Sequence, residues 1–133
     1  MRFLPDIPVG MSVCIGDEAV VGIQHMIDAA KAFASGTNHD IYLLRDPNNP
    51  HDRNAIRVIG TYNDGPFSRS MHIGYVDAST AKAIAERPDT DSLCTRLKNI
   101  WWGGFEKDFI VVEYDILQPK PPPKERKSKS TKN

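Results

Sequence analysis

Between two apolar, β-rich runs at residues 40–45 and 55–60 lies Asp46-Pro47-Asn48-Asn49-Pro50-His51-Asp52-Arg53-Asn54, and this stretch constrains the fold more than any other. The two prolines fix φ and push Asp46 and Asn49 towards extended conformations. Asn and Asp side chains hydrogen-bond to nearby backbone groups. The segment reads as a stiff loop between two strands that aims particular side chains.

The rest of the chain supplies partners for those two strands. Residues 18–24 form an apolar β-rich run, read as the first core strand. Residues 26–34 are alanine-rich, with Met26, Ala30, Phe33 and Ala34 at helical spacing, and Ser35-Gly36 ends that helix. Asn63-Asp64-Gly65-Pro66 is a turn, followed by a strand over 70–76. Asp77 stands as N-cap of a second helix, with Pro88 beyond its end. Residues 92–102 alternate as a strand, Gly103-Gly104 turns the chain, and 108–117 form the last strand. Residues 1–17 read as an irregular leader, punctuated by Pro5, Pro8, Gly10 and Gly16, and 118–133 as a disordered basic tail. Six strands, two short helices and antiparallel hairpins over residues 18–117 predict a mainly β domain: a small, partly open OB-like six-stranded barrel.

Size and charge narrow the function. A chain of 133 residues with 26% charged content suits one small domain. No apolar run approaches the roughly 18 residues a membrane span needs. The N-terminus lacks the apolar stretch of a secretory signal, so a cytoplasmic location is expected, beside the nucleoid if DNA is the ligand. The net charge of zero hides an asymmetry: residues 1–119 carry 11 basic and 16 acidic groups, whereas residues 120–133 carry six basic and one acidic. An acidic body binds nucleic acid through local geometry rather than through a broad positive field. The basic tail reads either as a solvated tail or as a non-specific grip on phosphates.

Catalytic patterns are missing. His25, His39, His51 and His72 form no HxxxH or HExxH arrangement, and there is no glycine-rich phosphate loop. Cys14 and Cys94 lack CxxC spacing and read as free thiols. The expectation is a non-enzymatic, monomeric module with no cofactor and no metal. A small metal-dependent nuclease is the weakest alternative, motivated by the Asp- and His-rich loop.

The loop also carries a resemblance. Leu44-Arg45-Asp46-Pro47-Asn48-Asn49-Pro50-His51-Asp52-Arg53-Asn54-Ala55-Ile56 resembles the signature of the HIRAN domain, L-x-R-E/D-P-x-N-P-Y/H-D-x-N-A-I/V. Val20-Val21-Gly22-Ile23-Gln24-His25 matches the family's upstream strand. Ile73-Gly74-Tyr75-Val76 matches its downstream strand, and residues 78–85 match the helix after it. The likeness spans residues 18–117. It implies an OB-like barrel whose pocket captures the 3′ end of single-stranded DNA, in a repair or replication setting, beside a separate helicase or nuclease.

Carried over residue by residue, Gln24 and His25 stand where the family often has a basic residue and a tyrosine, and His51 stands at the tyrosine or histidine of the signature. Asp52 occupies the aspartate of the signature, with Asn49 and Arg53 beside it. Tyr75 is a further candidate for base contact, and Trp102 for a rim aromatic, the choice between Trp101 and Trp102 depending on strand register. Imidazoles at His25 and His51 would stack on the last bases, Arg53 and backbone amides would hold the last phosphodiester, and the Asp52 carboxylate would accept a bond from a 3′-hydroxyl while repelling a 3′-phosphate. Arg45 reads equally as a phosphate contact or as the ion-pair partner of Asp46. Smaller rings and fewer positive charges imply weaker binding than the family's tyrosine-bearing members achieve, and histidine brings sensitivity to pH. The alternative reading is a protein-interaction module that kept the barrel and lost DNA-end binding.

Overall fold

The computed structural model describes residues 1–3 and 5–121. The expectations for the basic tail beyond residue 121 lie outside the described residues.

Six strands and two helices follow in the order β1 (Met11–Ala19), α1 (Ile27–Ser35), β2 (Thr37–Arg45), β3 (Ile56–Asp64), β4 (Phe67–Tyr75), α2 (Ala78–Ala85), β5 (Cys94–Trp102) and β6 (Ile110–Pro119). They make two antiparallel three-stranded sheets, ordered β1-β6-β5 and β2-β3-β4. The fold is mainly β, as expected, but the sheets are not closed into a barrel. The free edges of β2 and β5 are linked by Thr95 Oγ1 donating to the Ile41 carbonyl at 2.8 Å, and no ladder joins them among the described residues. The chain crosses between sheets just after β1 instead. The Val20 amide donates to Val112 in the first sheet at 3.0 Å, and Val21 exchanges two backbone bonds with Tyr75 in the second, at 2.9 and 2.8 Å.

The first strand differs from expectation. β1 starts at Met11, inside the segment read as leader, because Met11 to Ile15 pair with β6 from Pro119 to Ile116 despite the flanking glycines. Residues 1–3 also run along β5, with an Arg2–Asn99 bridge. The strand ends at Ala19 and does not reach Gln24. Gly22 takes the left-handed conformation (φ 75°), which a glycine accepts without penalty, and turns Ile23–Met26 into a 3-10 helix. At the other end β6 takes in Gln118 and Pro119, beyond the residue 117 expected from the sequence.

The core forms where inward faces of both sheets meet α1. Its alanine-rich sequence propagates a helix readily, and spacing of three and four puts Ala30, Phe33 and Ala34 on the buried stripe. They pack with Ile56, Val58, Ile73, Leu97, Ile100, Val112, Tyr114 and Ile116. Each large apolar side chain contributes about 1.5–3 kcal/mol by leaving water. Asp77 is the N-cap of α2, its carboxylate accepting from the Ser79 amide at 3.2 Å.

One charged group enters this interior. Asp115 is 2% exposed and is held by Arg96 Nη2 at 2.9 Å, by Lys98 Nζ at 3.6 Å and by the Asp17 amide at 2.9 Å. Burial pushes its carboxyl upward, but the Asp17 amide, Arg96 and Lys98 outweigh burial and leave it below the ordinary range.

Candidate functional site

The loop between β2 and β3 is built from consecutive local bonds. The Asn49 amide donates to the Asp46 carbonyl at 3.1 Å, closing a turn with Pro47 at its second position. Asn49 Oδ1 then accepts from the amides of His51 at 2.9 Å and Asp52 at 3.2 Å, while Asn49 Nδ2 donates to Asp46 Oδ2 at 3.1 Å. Asp52 Oδ1 accepts from the Asn54 amide at 2.8 Å, and the Ala55 amide donates to the Asp52 carbonyl at 3.0 Å. The Asp46 amide donates to the Ala55 carbonyl at 2.9 Å and closes the loop's base. Asn49 thus braces the loop and also stands at the cavity.

Asp46 anchors the loop to the sheet. Its carboxylate lies 3.3 Å from Arg57 Nε on β3. The Asn49 amide bond and then Arg57 hold its carboxyl below the usual carboxylate range, against the upward push of burial. The partner of Asp46 is therefore Arg57 and not its neighbour Arg45.

Where this loop meets β4 and the start of α2, the surface encloses a cavity of about 280 Å³ lined by Val21, Asn49, His51, Asp52, Ala55, Tyr75, Val76 and Ala78. Its size is at the small end of ligand cavities, and its lining is apolar with a few convergent polar groups. Gly74 permits the wall. A Cβ there would lie 2.5 Å from Val20 Cγ1 and 2.6 Å from the Val21 carbonyl oxygen, so only glycine lets the Val20-Val21 segment reach Tyr75.

Tyr75 is positioned from behind. Val58 pairs with Gly74 but Ile59 pairs with His72, so Ile73 is an extra residue in β4, a bulge. The bulge puts His72 and Tyr75, three apart, on one face. Their rings meet T-shaped, centroids 4.8 Å apart. His72 Nε2 is 2.8 Å from the Gly74 carbonyl oxygen, and burial pushes its imidazole below the ordinary histidine value.

Of the nine residues singled out from the sequence, the structure brings Asn49, His51, Asp52 and Tyr75 into one cavity wall. Arg53 is exposed on the loop's last turn. Gln24 and His25 are exposed on the 3-10 helix one turn beyond Val21 and do not line the cavity. Arg45 borders a separate cavity of about 350 Å³ with Leu43, Ile84 and Asp91. Trp102 does not line the end cavity either. Its register partner is the buried Ile110, so it turns towards the core and meets Phe105 T-shaped at 5.1 Å, while Trp101 is the exposed neighbour. Sequence reasoning missed Arg57, His72, Val21 and Ala78. Alternation along β3 signals that Arg57 shares a face with Ile59, but nothing local signals the bulge that brings His72 beside Tyr75.

Among the described residues no group of three or more His, Cys, Asp or Glu is arranged to hold a metal ion. Cys14 and Cys94 are both free. Fold and site define a small mainly β domain with a preformed cavity beside a rigid proline-asparagine loop. The HIRAN-domain family model matches residues 19–101, and the chain belongs to this family of DNA-binding domains. Among solved structures the chain is similar to the crystal structure of the HIRAN domain of human HLTF, at 22% identity over 86% of this chain and 84% of that one, with a TM-score of 0.49. No curated protein matches the sequence.

Proposed function

We propose that this chain is a non-catalytic module that binds single-stranded DNA, with preference for a free 3′-hydroxyl end. The supporting observation is the convergence of Asn49, His51, Asp52 and Tyr75 on one small cavity in a chain of this family. His51 and Tyr75 supply planar rings for the terminal base. Asp52 keeps one carboxylate oxygen on the Asn54 amide, and among the described residues its other oxygen has no hydrogen-bond partner. That oxygen accepts from a 3′-hydroxyl and repels a 3′-phosphate. Arg53, exposed on the loop's last turn, is the cation for the last phosphodiester in this reading. Gln24 and His25, one turn away, would join only through a longer strand. A role in repair or replication through a separate helicase or nuclease belongs to this same proposal, as does location at the nucleoid.

The test is fluorescence anisotropy with a labelled single strand ending in a 3′-hydroxyl, the same strand with a 3′-phosphate, and a blunt duplex, at low and physiological salt. The full chain is compared with one ending at Pro121. Preference for the free hydroxyl that survives tail removal supports the end-reader. Binding indifferent to the end, or lost with the tail, overturns it and favours the protein-interaction reading.

A further inference from the structure

The outer face of the second sheet is laid out by its register. Asp40, Thr61 and Ser70 form one cross-strand row, Tyr42, Ile59 and His72 the next, and Leu44, Arg57 and Tyr75 the last. Helix α1 packs on the opposite face through Phe33, and at one end of this outer face the loop lays Asp46 against Arg57. Tyr42 is 46% exposed and Leu44 47% exposed, on a strand whose inward residue Ile41 is buried. Ile59, at 7% exposure, is the floor between Tyr42 and His72. The Arg57 side chain is 42% exposed.

This face is continuous with the cavity. Tyr75 belongs to both, lining the cavity and ending the row that holds Arg57 and Leu44. The neighbouring row, displaced by two residues or roughly 7 Å along the strands, holds Tyr42 and His72. Its chemistry favours an unpaired strand over a folded protein partner. The exposed Tyr42 ring and the half-buried rings of His72 and Tyr75 are interspersed with the Asp46-paired Arg57 guanidinium, the Asp40 carboxylate and the hydroxyls of Thr61 and Ser70, so there is no unbroken apolar patch. Base stacking needs separate planar surfaces, and the backbone between bases needs cations and hydroxyl donors.

We propose that the outer face of β2-β3-β4 binds the nucleotides that precede the captured 3′ end, with Tyr42 as the stacking platform and Arg57 on the phosphate between Tyr42 and Tyr75. This inference rests on the end-pocket reading and extends it: the strand enters the cavity past Tyr75 after crossing the sheet. Tyr42 is a base contact separate from the loop. Its exposure means that truncation leaves the core intact.

The experiment titrates the full chain with 5′-labelled oligothymidylates of two, four and eight nucleotides, each with a free 3′-hydroxyl, and with the eight-nucleotide strand ending in a 3′-phosphate. Tyr42→Ala and Tyr42→Phe are titrated alongside. Base–aromatic stacking predicts that eight nucleotides bind at least about 10-fold tighter than two. By the same stacking contribution, Tyr42→Ala removes most of that gain, about 5–10-fold on the long strand, with under 2-fold change on the dinucleotide. Tyr42→Phe keeps it, since the ring and not the hydroxyl does the stacking. Equal affinity for short and long strands overturns the proposal, as does a Tyr42→Ala loss shared equally by both lengths. Equal binding of hydroxyl and phosphate ends, with the length gain and its dependence on Tyr42 retained, overturns the end-reader and leaves the sheet face standing. No binding of any strand overturns both.

Discussion

The His72 and Tyr75 rings lie T-shaped at 4.8 Å although they stand three positions apart in one strand. Strand geometry would place residues three apart on opposite faces. The extra residue at Ile73 reverses that, and Ile73 itself goes fully into the core. The same irregularity that fills the interior therefore sets the aromatic wall of the cavity.

Removing the brace of the loop separates fold from binding. Asn49→Ala deletes one side-chain bond to Asp46 and two acceptor contacts to the His51 and Asp52 amides. Stability falls by about 1–2 kcal/mol, because each neutral bond contributes about 0.5–1.5 kcal/mol and the loop relaxes partly into water. Chemical denaturation measures that loss, and strand binding falls at least about 10-fold by the larger share of lost pre-organisation. Unchanged binding would separate Asn49 from the site.

Gly74→Ala attacks the cavity from its wall. The added carbon meets Val20 Cγ1 at 2.5 Å and the Val21 carbonyl oxygen at 2.6 Å, and the backbone atom cannot swing aside. Overpacking of this kind costs about 1–3 kcal/mol. The amides of Val21 and Tyr75 exchange hydrogen more rapidly, which amide exchange by NMR reads directly, because these two residues hold the sheets together at this point.

Asp115→Asn keeps shape and removes charge. Arg96 and Lys98 are left without their shared carboxylate, and the Asn amide presents donors to them. Destabilisation is about 2–3 kcal/mol, the range for a charge-assisted bond at a partly buried site. Thermal melting at neutral pH measures it. Because the folded Asp115 carboxyl lies below its unfolded value, its contribution is fully present above the unfolded value and is lost as pH falls through the folded one. The difference between Asp115→Asn and the unmodified chain accordingly shrinks in strong acid.

Two histidines give a second pH dependence, with its sign set by burial. His39 sits between Phe3 and Phe33, with Nε2 2.9 Å from the Phe33 carbonyl oxygen, and burial lowers both it and His72 below 6.5. The unfolded chain then binds protons that the folded chain refuses. Stability is full above about pH 6.5 and declines as pH falls from there through the lower folded values. Denaturation midpoints at pH 7.5 and 5.5 test this, and His39→Asn reduces the difference between them. A stability that rises on acidification over this window would contradict the assignment.

Much of this protein was legible in local sequence. The prolines and asparagines of residues 46–54 specify their own turn bonds, the alanine-rich run specifies α1, Asp77 caps α2, and period-two alternation marks most strands. Each of these rests on neighbours within about four residues, so the chain's own order carries the information. The loop motif also pointed to Asn49, His51 and Asp52, which the structure brings together with Tyr75. The rest depended on register between segments distant in sequence. The pairing of Trp102 with Ile110 turns Trp102 inward, the bulge at Ile73 brings His72 to Tyr75, and the bridge of Val21 to Tyr75 followed by the Gly22 turn leaves Gln24 and His25 outside the cavity. A one-residue shift in any of these pairings would move every side chain to the other face, and no local pattern encodes which shift occurs. Sequence alone determined the loop, the helices and most of the strands; the packing of two open sheets decided the first strand and which side chains share a wall.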